Sequence, residues 1–478
     1  MRYTDTKLFI GGEWTDASDG KTLEIANPVN GEVIGAVAHA SRSDLEKAVE
    51  AVVEGFNIWS ATSAFERYKV IRKAASLLRE RVEDIARLLT TDEGKPLTES
   101  RMEVNSCADL LDWFAEEGRR TYGRVVPSRS VTVQQYALKE PVGPAVGFTP
   151  WNFPMSQIVR KLGPALSAGC SIIIKGPEEA PAAPAALFRC LEEAGIPAGV
   201  VNLVFGNPAE ISEFLVPHPA IRKVSFTGSV PVGKKLASLA GLHMKRVTME
   251  LGGHAPVIIA DDANIDAATT ALIGSKYRNA GQVCISPTRF LIQSTVHDQF
   301  VESFVRKAEA LKVGDGLADG TQMGPLINER RRNAVEELIE DAVSKGAKLE
   351  TGGERIGNSG YFFAPTVLTG VTTEMRALNE EPFGPVALVR SFADLDEALA
   401  EANRLPFGLG SYAWTTSSNT ARRIAHGIQA GMVSVNHVGL GLPETPYGGV
   451  KDSGYGYEGG SEALDAYTNI RFVTHETN

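Results

Sequence analysis

Ala145-Val146-Gly147-Phe148, Ser171-Ile172-Ile173-Ile174-Lys175, Val200-Val201-Asn202-Leu203-Val204 and Lys223-Val224-Ser225-Phe226 are the stretches on which the fold turns. Each is a short, mostly apolar run without the polar alternation of a half-exposed strand, so each reads as a strand buried on both faces. Helical periodicity fills the gaps, around 155–168, 180–194 and 208–215. Strand–helix alternation of this kind predicts an α/β fold, a parallel sheet with helices on its faces. Ligands of such sheets bind beyond the carboxyl ends of the strands. Pro150–Pro154, Lys175–Glu178 and Thr227–Gly233 all follow strands and so become the segments to watch.

Toward the N-terminus, Ser43-Asp44-Leu45-Glu46 reads as a capping box, with Leu45, Val49, Val52, Val53 and Phe56 on one helical face behind it. The pattern stays helical from Glu66 to about Arg119. Val131–Leu138, bracketed by Pro127 and Pro141, then alternates as a strand. Toward the C-terminus, a second alternating region runs from Pro256-Val257-Ile258-Ile259 to about 445, with helical signals at 297–311 and 328–345. Asn469-Ile470-Arg471-Phe472-Val473 ends the chain with another strand-like piece.

At ~150 residues per domain, 478 residues suggest about three domains. The 58 acidic against 48 basic residues, a net charge of −10, argue against a nucleic-acid binder, which needs a basic face. The 4 cysteines (Cys107, Cys170, Cys190, Cys284) are too sparse for a disulfide framework, and no Cys-x-x-Cys or His-x-x-x-His pair suggests a metal site. Met1–Trp14 is interrupted by Asp5, Lys7 and Glu13, unlike a targeting peptide, and apolar runs fall far short of the ~20 residues that span a bilayer. A cytoplasmic protein without membrane partners is the expectation, its cysteines either buried hydrophobes or reactive thiols.

Cys284 follows a glycine-containing turn, Asn279-Ala280-Gly281-Gln282-Val283, where a local positive potential would activate its thiol; a buried structural cysteine is the bland alternative. Glu250, set in Thr248-Met249-Glu250-Leu251-Gly252-Gly253, is either a desolvated general base or a structural carboxylate. Asn152, in Pro150-Trp151-Asn152-Phe153-Pro154, could donate to a developing oxyanion or simply serve a turn. Gly228-Ser229-Val230-Pro231-Val232-Gly233 follows a strand and opens a helix, the setting of a pyrophosphate site. Lys175 and Glu178 could address ribose hydroxyls there, or could mark only the solvent boundary.

In this order, with Leu8-Phe9-Ile10-Gly11-Gly12-Glu13-Trp14, Glu380-Glu381-Pro382-Phe383-Gly384-Pro385 and Pro446-Tyr447-Gly448-Gly449-Val450-Lys451, these segments resemble the aldehyde dehydrogenase superfamily along essentially the whole chain. The resemblance implies Cys284 as nucleophile, Asn152 as oxyanion donor and Glu250 as the base for thioester hydrolysis. It implies Trp151, Lys175, Glu178, Gly228, Ser229, Gly233, Leu251, Glu381 and Phe383 as cofactor contacts. A carboxylate at Glu178 repels a 2′-phosphate, which favours NAD with NADP as the alternative. The implied fold is a Rossmann-like NAD-binding domain (1–120 and 141–251), an α/β catalytic domain (252–446) and a small β oligomerisation flap (121–140 and 447–478), assembled as a homodimer or homotetramer.

Within the superfamily the chain is most similar to succinate-semialdehyde dehydrogenases, which implies that Arg160 and Arg278 clamp a distal carboxylate. Leu442, Ser286, His254 and Val283 depart from the commonest choices, Leu442 replacing a serine and Ser286 a redox-active cysteine. The alternatives are a dehydrogenase for another aldehyde, uncharged or aromatic, and a non-catalytic protein on the same scaffold. Glu250 disfavours CoA-acylating relatives, which typically lack this glutamate.

Overall fold

The computed structural model describes residues 3–477; residues 1, 2 and 478, the outermost positions of segments read above, lie outside that range. Ala145–Phe148, Ile172–Lys175, Val201–Val204 and Lys223–Gly228 are strands in which nearly every residue is buried. They run parallel with Arg246–Leu251, in the spatial order 246–251, 223–228, 145–148, 172–175, 201–204. Arg246–Leu251 escapes a hydrophobic reading because buried Thr248 and Glu250 interrupt it. Antiparallel strands extend both edges: Leu8–Ile10 and Glu13–Thr15 beside Val201–Val204, and Gly454–Tyr455 beside Arg246–Leu251.

Helices Ser156–Ala168, Ala182–Ala194 and Pro208–Leu215 match the expected ranges. The last starts where a helix should, with the Asn207 side chain accepting from the Ala209 N–H and Pro208 in the first turn. The N-terminal capping box lies two residues before the expected one. Ser41 caps Arg42–Ala61 and exchanges hydrogen bonds with Asp44, whose position three residues into the helix brings its carboxylate back to the Ser41 N–H at 2.9 Å. Ser43 is already inside the first turn. The long helical stretch divides into Ala64–Glu80, Val82–Glu93 and Leu97–Gly118, the last break falling at Gly94 and Pro96.

The second alternating region forms a seven-stranded sheet in the order Lys348–Thr351, Thr366–Thr369, Val386–Phe392, Pro287–Gln293, Ala255–Ile259, Gly410–Trp414, Met432–Val435, parallel except at the first edge. Helices His297–Glu309 and Glu329–Ser344 flank it near the expected positions. Each sheet carries its own apolar core, Trp59, Phe114 and Phe188 belonging to the first and Phe290, Phe300 and Phe304 to the second. A third sheet pairs Val133–Pro141 with Thr468–Glu476 and with Arg124–Val125. Of the residues after 447, then, Gly454–Tyr455 extends the first sheet and only the final strand joins the projecting one. No helix among the described residues is long and apolar enough to cross a membrane.

Candidate active site

Cys284 follows a turn of three consecutive left-handed residues, Asn279 (φ 49°), Ala280 (φ 51°) and Gly281 (φ 73°). Left-handed backbone costs a residue with a Cβ roughly 1–2 kcal/mol, so the turn persists only because its surroundings hold it. The Asn279 N–H donates to Glu99 at 2.9 Å, and its side-chain amide donates to the Asn152 carbonyl at 2.9 Å. The Gln282 side chain donates to the Asn279 carbonyl and accepts from the Ile327 N–H, both at 3.0 Å. At Gly281 a Cβ would stand 2.1 Å from the Gly384 carbonyl, so only glycine fits.

Two cavities meet at the Cys284 side chain. One, of about 500 Å³, is lined by Trp151, Asn152, Gly228, Ser229, Glu250, Leu251, Glu381 and Phe383. The other, of about 240 Å³, is lined by Phe153, Arg160, Arg278, Leu440, Leu442 and Tyr447; Cys284 and Gln157 border both. Cys284 alone among the 4 cysteines is not fully buried, and burial in this dry neighbourhood pushes its thiol up to about 11. Cys107, Cys170 and Cys190 are buried, whereas Cys284 borders both cavities.

Asn152 is 3% exposed and its side-chain amide donates to the Gln282 carbonyl at 2.9 Å, which leaves one amide N–H uncommitted. Its carbonyl is held by Lys95 at 2.7 Å, and Lys95 in turn pairs with Glu103 at 2.8 Å. This buried Lys95–Glu103 pair, which no motif flagged, anchors the loop. Glu250, at the end of Arg246–Leu251, is 2% exposed and neither carboxyl oxygen has a hydrogen-bond partner among the described residues. Burial, then the nearby Glu458 carboxylate, holds it well above the usual carboxylate range. Glu458 is itself paired with Lys161 at 2.7 Å and accepts from Ser225 at 2.7 Å.

The larger cavity opens on the helix Val230–Leu242, whose N-cap Ser229 makes no side-chain cap bond, leaving the first N–H groups free. Across it, Trp151 meets Phe383 edge-to-face at 5.7 Å, and Phe383 has φ 43°. Glu381 accepts from the Gly253 N–H at 3.2 Å, and burial raises it to about 7. A Cβ at Gly252 would stand 2.3 Å from that carboxylate. Gly233 does not line the cavity; it lies in the helix and lets Leu251 pack against it. Lys175 and Glu178 also lie outside the lining, at the neighbouring strand end. Glu178 is pinned there by Lys175, whose ammonium lies 2.6 and 2.7 Å from its two oxygens, and by the Gly206 N–H at 3.0 Å on one of them.

The two candidate substrate arginines differ. Arg160 is 7% exposed and donates to the Glu458 carbonyl at 3.0 Å and the Gly441 carbonyl at 2.6 Å. Its guanidinium also stacks 4.3 Å over the Tyr447 ring. Arg278 is half-buried and lies over Phe153 at 5.0 Å, and its guanidinium makes no hydrogen bond or ion pair to the described residues. Tyr447, present in a quoted motif but given no role from sequence, has its hydroxyl 3.2 Å from Cys284 Sγ. His254 is a satisfied core histidine between Thr288 (2.7 Å) and the Ala377 carbonyl (3.0 Å), and burial keeps it neutral. Ser286 is buried against Lys276 at 3.1 Å.

The Aldehyde dehydrogenase family pattern matches residues 14–473. The chain is 44% identical over 471 residues to 4-(hydroxymethyl)benzenesulfonate dehydrogenase of Comamonas testosteroni, covering 98% of each chain. It is 40% identical over 478 residues to glutarate-semialdehyde dehydrogenase of Pseudomonas putida, covering 99% of each. The crystal structure of succinate-semialdehyde dehydrogenase from Burkholderia pseudomallei superposes with a TM-score of 0.97 at 40% identity, covering 98% of each chain.

Proposed function

The chain belongs to the aldehyde dehydrogenase family, and from that premise we propose that it oxidises an aldehyde bearing a distal anion, succinate semialdehyde or a similar carboxylate, with NAD as oxidant. The observation that carries the reading is the position of Cys284 between a cavity suited to a dinucleotide and one that holds an unpaired guanidinium. The residues present fit the cofactor: an uncapped helix N-terminus suits a pyrophosphate, and the edge-to-face Trp151–Phe383 pair offers an apolar wall for a flat ring. Trp151, Ser229, Leu251, Glu381 and Phe383 would hold it, with Gly228 and Gly252 keeping the approach clear and Gly233 making room for Leu251. Bound there, NAD supplies the hydride acceptor of the oxidation.

The chain's own groups supply the rest. The Cys284 thiolate adds to the carbonyl carbon, a C–S bond forming as the carbonyl π pair moves to oxygen. The free Asn152 amide N–H and the Cys284 backbone N–H receive that oxyanion. After oxidation the acyl group is held as a thioester on Cys284. Glu250, once deprotonated, takes a proton from the attacking water, and collapse releases the carboxylic acid and the thiol. The missing hydrogen-bond partners on both Glu250 oxygens support this role, since a structural carboxylate would be satisfied.

The pinned Glu178 supports NAD over NADP, because both its oxygens are held and the charge cannot swing aside from a 2′-phosphate. Leu138, Ile470 and Phe472, exposed on the projecting sheet, support a homodimer or homotetramer in which that sheet is covered. A second reading is favoured by the apolar walls of the smaller cavity, Phe153, Leu440, Leu442 and Tyr447, and by the benzenesulfonate in the name of the 44%-identical relative: an aromatic aldehyde bearing a sulfonate. A kcat/KM panel decides, using succinate semialdehyde, 4-formylbenzenesulfonate, butanal and benzaldehyde with NAD and with NADP. Preference for the anionic member of each pair by tenfold or more is expected; equal values would overturn the anion reading.

A further inference from the structure

Cys284 has one hydrogen-bonding side chain within reach, the Tyr447 hydroxyl at 3.2 Å. Around the sulfur the charges are divided: Glu250 and Glu381 oppose a thiolate, while Arg278 favours it. The Tyr447 ring is buried, and its face is covered by Arg160 at 4.3 Å. Arg160 cannot leave easily, since two of its N–H groups are bound to the Glu458 and Gly441 carbonyls. A Cβ at Gly441 or Gly459 would crowd both this ring and this guanidinium, so the backbone is shaped around the stack. Burial and the neighbouring sulfur keep the phenol well above its usual range, so it remains a donor across working pH.

We propose that the Tyr447 hydroxyl is a catalytic hydrogen-bond donor to the Cys284 thiolate, aimed at the sulfur by Arg160 acting as a positioning residue. The inference rests on the reading of Cys284 as nucleophile, but it is separable from the identity of the aldehyde. A hydrogen bond from a neutral hydroxyl to an anionic sulfur is charge-assisted, so it favours the thiolate over the thiol. When the sulfur pair is donated to a carbonyl carbon the sulfur loses its charge and the bond weakens. The donor therefore raises the thiolate population while lowering the reactivity of each thiolate. Under a Brønsted slope of about 0.4–0.5, a tenfold gain in thiolate costs roughly a threefold loss in nucleophilicity.

The test is the pH profile of Cys284 modification by methyl methanethiosulfonate, in which the thiolate displaces methanesulfinate and forms a mixed disulfide. Wild type, Tyr447→Phe and Tyr447→Met are compared, with Cys284→Ala as the blank for the buried cysteines. No aldehyde or cofactor is present, so an error in the proposed dehydrogenase substrate leaves this readout unaffected. In both Tyr447 variants the midpoint should rise by about one pH unit. The rate should fall about threefold below the wild-type midpoint and rise about threefold above the variant midpoint, so the two profiles cross. Loosened packing alone would scale the rate by one factor at every pH. Superimposable profiles, or profiles offset without a shifted midpoint in both variants, would overturn the proposal.

Discussion

The two cavities that meet at Cys284 are built differently. The larger is walled on one side by the ends of parallel strands, Gly228 at one with Ser229 after it, Glu250 and Leu251 at the next, Trp151 and Asn152 after a third, and on the other by Arg331 and Ala334 of the helix Glu329–Ser344 and by Glu381 and Phe383. The smaller is walled by side chains from loops and from the helices Leu97–Gly118 (Glu99, Met102, Glu103) and Ser156–Ala168, with Leu440 and Leu442 on a segment that has no regular structure. A strand end fixes where a backbone group points, because sheet register leaves it little choice. A long side chain goes where its own contacts take it: Arg160, on a helix, is held by two carbonyls, whereas the Arg278 guanidinium makes no hydrogen bond to the described residues.

The largest effect on this comparison comes from deleting the point where the cavities meet. Cys284→Ala should lower turnover at least 10⁴-fold, about the loss expected for a covalent nucleophile, while NAD binding measured by fluorescence titration stays near wild type. Turnover within tenfold of wild type would remove Cys284 from the reaction and uncouple the two cavities.

Glu250 lies on the cofactor side, and its removal should be felt after the oxidation. Glu250→Gln should leave a pre-steady-state burst of NADH but slow the steady state about 10²–10⁴-fold. In wild type the sign of the pH effect follows from the direction of the shift: burial raises Glu250 well above the usual carboxylate range, and only the deprotonated form accepts a proton from water. Deacylation should therefore accelerate with rising pH through that raised value and be flat in the variant. A variant that retains the same rise would assign the titration to another group.

On the substrate side the arginines should separate. Arg278→Ala should raise KM for an anionic aldehyde about 10- to 100-fold, the loss of one free charge-assisted contact, and leave an uncharged aldehyde nearly unchanged. Arg160→Ala should reduce kcat/KM for both kinds of aldehyde, because its N–H groups and its face are committed to the Glu458 and Gly441 carbonyls and to Tyr447. A substrate-selective effect at Arg160 as large as that at Arg278 would restore the two-arginine clamp implied by resemblance.

The contrast also explains what could be read without coordinates. Apolar runs such as Ile172-Ile173-Ile174 declared their strands because burial on both faces leaves no polar positions. Arg246–Leu251 did not, because Thr248 and Glu250 are polar yet buried, and the latter is a candidate for chemistry rather than packing. The motif around Cys284 named the residue but not the three left-handed positions before it, and nothing in the sequence hinted that Lys95 and Glu103 hold its partner loop. Tyr447 was visible as a letter in a motif, but its hydroxyl's place on the sulfur depends on Arg160, nearly three hundred residues away in the chain.

The smallest expected effect probes the cofactor side where it is least like a strand end. Glu178 lies beyond Ile172–Lys175 on a stretch of irregular backbone, so side-chain bonds fix its direction, as they do for Arg160. Its two oxygens are held by Lys175 and by the Gly206 N–H, an arrangement that keeps the carboxylate in place. Discrimination against a 2′-phosphate then comes from repulsion, the negative element of specificity. Glu178→Gln keeps the shape and an acceptor for a ribose hydroxyl but removes the charge. The ratio of kcat/KM for NAD to that for NADP should fall about tenfold, mostly through a lower KM for NADP, and the NADP gain should shrink as salt screens Lys175. A ratio that stays constant would mean that Glu178 answers to Lys175 alone, and that cofactor choice is made elsewhere along the strand ends.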